Sequence, residues 1–271
     1  MTNDPLATVD DWPVPHAAVG VARSGEVLAT RGPVDRPFPL ASVTKLLTAL
    51  ALLVAVEEET LALDEPAGPE GSTVRHLLAH ASGLDFEGAP ITAPGKRRIY
   101  SNGGFELLAD LVAERAGMPF SDYAAEAVLR PLQMKATTMD GSPAWGAHGS
   151  LADLLALGRE LLAPTLISPK TLAEATAPAF PGLSGILPGF GRQEPNDWGL
   201  GFELRDEKSP HWTGSKNSPR TFGHFGRTGT FLWVDPDAGL ACACLTDREF
   251  GDWAAEAWPA LSDAVLAGFP A

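Results

Sequence analysis

The chain is poor in cysteine: of 271 residues only Cys242 and Cys244 carry a thiol. Two are too few for a disulfide framework. They lie two apart in a strand-like run, so both point to one face, where a bridge between such neighbours is strained. They read as small buried hydrophobes. Basic charge is scarce too, with 20 Lys and Arg against 34 Asp and Glu, a formal net charge of −14. That balance argues against nucleic acid and anionic membrane surfaces as main partners, because both attract basic patches. The tight basic run Lys96-Arg97-Arg98 has the size of a solvated turn. No apolar run reaches membrane-spanning length, so no transmembrane segment is expected. The start, Met1-Thr2-Asn3-Asp4-Pro5, lacks the basic and apolar stretches of a secretion signal. A reducing, cytoplasmic location is the expectation that follows.

What is present is globular in composition, with 45% hydrophobic and 20% charged residues. Residues 1–15 are rich in Pro and Asp and read as a poorly ordered lead-in. Strand-like runs follow at His16 to Ala22 and Glu26 to Arg31, with Arg23-Ser24-Gly25 as a hairpin turn. Strand signals return only at Trp198 to Leu204, Gly229 to Val234 and Leu240 to Thr246. Between them, Val43 to Glu58 is nearly continuous Leu, Ala and Val without Gly or Pro. A helix that is apolar on every side belongs inside a core. Helical patterns continue at Val74 to Ala79, Phe105 to Ala116, Phe120 to Leu129 and Leu151 to Leu162, the last behind a Ser150 cap. Residues 181–197 hold several Gly and Pro and read as loop. A closing helix is expected over Trp253 to Leu266. The pattern predicts a sheet domain from residues 16–62 and 198–271, with a helical subdomain inserted over 63–197.

Ser42-Val43-Thr44-Lys45 is the most informative tetrad. A serine hydroxyl is a poor nucleophile until something removes its proton. At the first turn of a helix, positions i and i+3 share a face, so the Lys45 amine can reach the Ser42 hydroxyl. Burial at the head of an apolar helix pushes a lysine toward its neutral, basic form. Taken alone the tetrad is usually a helix cap and a surface lysine; its place at the head of the most apolar helix is what lifts it here. In Tyr100-Ser101-Asn102, the phenol of Tyr100 can carry a proton and Asn102 can hold an amide. The plainer reading makes Tyr100 a half-buried aromatic and Asn102 a helix cap. In His224-Phe225-Gly226-Arg227, the glycine allows a substrate to lie against a strand edge, and His224 is a proton partner or a structural hydrogen-bonder. His76 and His80 stand four apart, a spacing that can bind zinc, but no third ligand is apparent. No metal is expected.

In this order, these segments resemble the serine β-lactamase and penicillin-binding-protein superfamily. They are similar above all to the branch of class C β-lactamases, D-alanyl-D-alanine carboxypeptidases and family VIII esterases. The resemblance rests on Phe38-Pro39-Leu40-Ala41-Ser42-Val43-Thr44-Lys45, Val74 to Leu84, Tyr100 to Leu108, Trp198 to Phe202 and Gly223-His224-Phe225-Gly226. It implies an α/β (α+β) fold with an antiparallel sheet from both chain ends, flanked by helices and interrupted by the helical insertion. It also implies Ser42 as the residue acylated, Lys45 and Tyr100 sharing proton transfer, and Asn102 binding the substrate amide or orienting Lys45. The backbone N–H groups of Ser42 and Arg227 would form an oxyanion hole. The expected activity is hydrolysis of a small ester, amide or lactam without a cofactor. A β-lactamase, a D-amino-acid peptidase and a retired, ligand-binding hydrolase stand as alternatives. Two departures bear on the choice: Phe225 stands where a hydroxyl often greets a substrate carboxylate, and no export signal is seen.

Overall fold

In the computed structural model, which describes residues 4–270, the two ends of the chain meet in one six-stranded antiparallel sheet. The first pair is β1 (Ala17–Ala22) and β2 (Val27–Arg31); β3 (Phe38–Pro39) and a 3-10 turn, Ala41–Val43, then lead into α1 (Thr44–Glu57). Next come α2 (Val74–Leu78), α3 (Asn102–Ala116) and α4 (Phe120–Ala124), which runs on as a π-helical turn to Leu129. The short β4 (His148–Gly149) pairs with β3 and precedes α5 (Leu151–Leu162) and α6 (Pro169–Ala175). A small hairpin, β5 (Gly185–Leu187) and β6 (Gly191–Gln193), precedes β7 (Glu203–Leu204), β8 (Phe222–Gly226), β9 (Thr230–Asp235), β10 (Leu240–Thr246) and α7 (Asp252–Gly268). The sheet order is β2-β1-β10-β9-β8-β7, so the strand nearest the N-terminus pairs with the last strand of the chain.

Period-two alternation explains why the sheet is covered on both faces. In β10, Ala241, Ala243 and Leu245 face a core shared with α1 and α5, while Cys242 and Cys244 face a second core of Trp233, Trp258 and Leu261. Both thiols are free and fully buried. Helix α1 is buried along its length, from Thr44 to Ala55, and this includes Lys45 at 0% exposure. No helix among the described residues is long and apolar enough to cross a membrane.

Two local expectations change. Within the lead-in, residues 1–3 lie outside the described part, but Ala7–Asp11 form a 3-10 helix, and Leu6 and Val9 are buried beside Val19, Leu261 and Val265. Two apolar side chains suffice to dock that segment, and its Pro and Asp content conceals them. Helix α5, placed by its position in the helical insertion of residues 63–197, lies instead across the sheet. A Cβ on Gly158 would stand 2.8 Å from that of Ala241, and one on Gly20 would stand 2.7 Å from Leu155 Cδ1. These glycines let helix and sheet approach closely, a tertiary pairing that helical periodicity does not encode. Residues 222–226 form β8, a strand of its own ahead of β9. Gly229, at φ 77°, turns the chain between β8 and β9, and its N–H closes the turn on Gly226 O at 3.1 Å.

Candidate active site

Ser42 sits in the 3-10 turn that enters α1, half-buried at the floor of a cleft. The residue before it, Ala41, has φ 47°, a left-handed conformation that costs energy in a residue with a Cβ. The surroundings hold that turn in place. Thr228 Oγ1 donates to Pro39 O at 2.7 Å and Thr230 Oγ1 donates to Leu40 O at 2.9 Å. The β8–β9 hairpin is thereby stitched to the chain just before Ser42.

Lys45 follows three residues on. Its amine donates to Asn102 Oδ1 at 2.6 Å and to Ala144 O at 2.9 Å. Burial drives its pKa well below the ordinary lysine value, and the carboxylate of Glu106 offsets this only in part. Asn102 is free to meet the amine because Ser101, not Asn102, caps α3: Ser101 Oγ accepts from Gly104 N at 3.1 Å. Tyr100 stands over the same point, with Lys45 Nζ 4.7 Å from its ring centroid. Burial holds its phenol above the usual tyrosine pKa, although the neighbouring Ser42 hydroxyl pulls it down. The Tyr100 hydroxyl lies 3.3 Å from His224 Nε2. His224 Nδ1 lies 2.7 Å from Phe225 O and must donate to it, which leaves Nε2 as the acceptor from Tyr100. Burial, then the Lys45 charge, push His224 down to about 3, so it is neutral at physiological pH.

The end of β8 reaches the Ser42 turn only because position 226 has no side chain. A Cβ on Gly226 would meet Leu40 O at 2.5 Å, Thr230 Oγ1 at 2.4 Å and Ala41 Cβ at 3.1 Å. Gly226→Ala is accordingly expected to destabilise the fold by about 1–3 kcal/mol, the cost of overpacking, and to slow turnover as the strand end is pushed from Ser42. Thermal unfolding and ester hydrolysis read the two effects. An unchanged melting temperature with full activity would show that strand and turn are not in close contact. Arg227 follows Gly226 at the rim, where its guanidinium lies 3.4 Å from Glu249. Phe225 does not enter the cleft. Its ring packs on the far side of the sheet against Phe190, Phe250 and Trp212, with centroids 5.2–5.8 Å away. The hydroxyl is still missing, but nothing bulky takes its place.

The cleft has a volume of about 740 Å³ and contains Ser42, Asn102 and Arg227. Its walls include residues that spacing did not single out. Glu106, one helical turn after Asn102 on α3, lines it and accepts a hydrogen bond from Ser142 Oγ. Position i+4 from Asn102 was the available signal. Trp145 and Phe86, 55% and 51% exposed, flank the opening. The loop 140–147 that carries Trp145 is tied to α1, since Thr48 Oγ1 donates to Pro143 O at 2.6 Å and Thr44 Oγ1 accepts from Ala147 N at 3.1 Å. Backbone acceptors such as Ala144 O leave no trace in sequence. His76 pairs with Thr73 Oγ1 at 2.8 Å, and no group of three or more His, Cys, Asp or Glu side chains among the described residues could hold a metal.

The chain as a whole is similar to known proteins. A family model described as Beta-lactamase matches residues 8–266. A crystal structure of a β-lactamase (Mb2281c) from Mycobacterium bovis is 54% identical, with a TM-score of 0.98, covering 99% of this chain and 100% of that one. The D-alanyl-D-alanine-carboxypeptidase/endopeptidase AmpH of Escherichia coli (strain K12) is 31% identical over 151 residues, 42% of this chain and 39% of that protein. The chain therefore aligns with about two-fifths of that relative's length. Esterase EstB of Burkholderia gladioli is 26% identical over 91% of this chain and 89% of its own.

Proposed function

This chain belongs to the β-lactamase family of serine hydrolases, and we propose that within it the protein is an esterase-like acyl hydrolase of small molecules. The observation that carries this reading is the fully buried Lys45 amine, three residues after Ser42, fixed by Asn102 and Ala144 and with its pKa lowered by burial. In its neutral form, which burial favours, that amine accepts the Ser42 proton as Oγ adds to the substrate carbonyl. In this reading the backbone N–H groups of Ser42 and Arg227 receive the oxyanion. Tyr100, kept protonated by burial and bonded to His224, passes its proton to the leaving alcohol and is reprotonated from Lys45. The same groups then draw a proton from water, which adds to the acyl-enzyme and releases the acid. Every proton lost by Ser42 or water returns to the alcohol or to Ser42.

The charge of the cleft favours esters over β-lactams. Glu87, Glu106 and Glu249 line it against Arg227, which already pairs with Glu249. A substrate carboxylate meets net repulsion there and no hydroxyl from position 225. Loss of one such polar contact costs on the order of 1–3 kcal/mol, so kcat/KM for p-nitrophenyl butyrate should exceed that for nitrocefin by roughly tenfold or more. Nitrocefin turnover should also rise with added salt as repulsion is screened. Efficient nitrocefin hydrolysis with negligible esterase activity would reverse the assignment.

A further inference from the structure

We propose that His80 is a positioning residue that sets the Tyr100-Ser101-Asn102 segment in its working place. The inference rests on the proposed hydrolase reading, and nothing in the machinery described above assigns His80 a part. His80 grips that segment at both sides of Tyr100. Its carbonyl accepts from Ile99 N at 2.9 Å, and its ring Nδ1 accepts from Ser101 N at 3.1 Å. Its ring also underlies the Tyr100 ring, with centroids 4.6 Å apart, and touches Phe105 and Trp198 at 5.4 and 4.7 Å. One side chain thus meets the phenol from below, while Lys45 Nζ stands 4.7 Å from the same ring.

The residue pays for this place in two ways. Its backbone is left-handed, at φ 54°, which is uncommon outside glycine. Acceptance at Nδ1 leaves the ring proton on Nε2, and that atom is buried without a hydrogen-bond partner among the described residues. A side chain 1% exposed, strained and carrying an orphaned donor is an expensive choice for mere filling. The backbone around it is braced as well. Arg98, itself buried, donates to Ala79 O immediately before His80, and Gly95 N donates to Ala81 O at 2.8 Å immediately after. Residues 95–101 are therefore laid along 79–81, with the imidazole as the contact that fixes Ser101. Because Ser101 also caps α3, its backbone position carries over to Asn102 and so to the Lys45 amine.

Three variants test the idea. His80→Asn keeps an acceptor near the position of Nδ1 and tolerates a left-handed backbone. His80→Leu keeps bulk but has no acceptor; His80→Gly relieves the backbone and also has none, and it serves if the leucine variant does not fold. The acceptor-less variant should lose about 10²-fold in kcat on p-nitrophenyl butyrate with KM little changed, as expected for a misplaced catalytic group, and His80→Asn should recover most of it. Amide hydrogen exchange at Ser101 should be slow in the native protein and His80→Asn, and fast in the acceptor-less variant. That readout does not depend on turnover. Absence of Ser42-dependent hydrolysis in the native protein would sink the functional reading while exchange still judges the His80 contact. Equal kcat losses in the asparagine and acceptor-less variants, or unchanged Ser101 exchange, would reduce His80 to core packing.

Discussion

Ser42→Ala is expected to lower ester hydrolysis by about 10⁴-fold or more while the thermal unfolding curve stays in place. Nucleophile deletions in serine hydrolases cost on that order because the covalent path is closed. Stability should hold because Ser42 is half-buried at a cleft and the turn around it is held by other groups. Thr228 and Thr230 tie down Pro39 and Leu40, and β8 packs on Ala41 through Gly226. Removing one hydroxyl touches none of these. Fluorophosphonate labelling followed by mass mapping reads the same residue directly, with adduct on Ser42 in the native chain and none in the variant. Retention of more than a small fraction of the rate would show that the nucleophile lies elsewhere.

Lys45→Met comes next in size, with a loss of roughly 10³-fold or more. Methionine keeps much of the volume and removes only the amine, so the loss reports chemistry more than packing. It also orphans Asn102 Oδ1 and Ala144 O, so a modest drop in melting temperature should accompany it. The double variant with Ser42→Ala should be no slower than Ser42→Ala alone, since groups that act as a unit are not additive. The pH dependence follows from the direction of the shift. Burial lowers the lysine pKa, so if its neutral form is the base, as proposed, kcat/KM should rise with pH through that lowered pKa and level off above it. An acid limb centred near the ordinary lysine value of about 10.4 would mean that the amine is solvated and is not the base.

Much of the architecture was legible because it is written in local patterns. The all-round apolar run from Val43 to Glu58 announced a core helix, and α1 is buried from Thr44 to Ala55. Alternation and the spacing of Cys242 and Cys244 announced a strand with both thiols on one buried face, and β10 has that form. Helical spacing proposed Ser42 and Lys45 as a pair, while the hydrogen bonds of the Lys45 amine in the fold go to Asn102 and Ala144. Where the reading of the ends and of the insertion changed, the cause was packing between segments far apart in sequence. Leu6 and Val9 are held by α7, and α5 lies on the sheet because Gly20 and Gly158 leave room for it.

The sequence by itself therefore determined the helices and the strands, and through spacing and resemblance it named Ser42, Lys45 and the other candidates. Tertiary structure alone decided which atoms meet. It put Tyr100 over Lys45 and beside His224, gave Lys45 the carbonyl of Ala144, turned Phe225 away from the cleft and set His80 beneath Tyr100. Periodicity ties a residue to neighbours within about one helical turn or one strand pair, because there the backbone itself sets the distance. Many contacts of the site lie far beyond that range, 21 positions for His80 to Ser101, 124 for Tyr100 to His224 and 190 for Thr230 to Leu40. At such separations only the packed core holds atoms at bonding distance, and burial, which shifts the pKa values of Lys45, Tyr100 and His224, exists only once that core has closed.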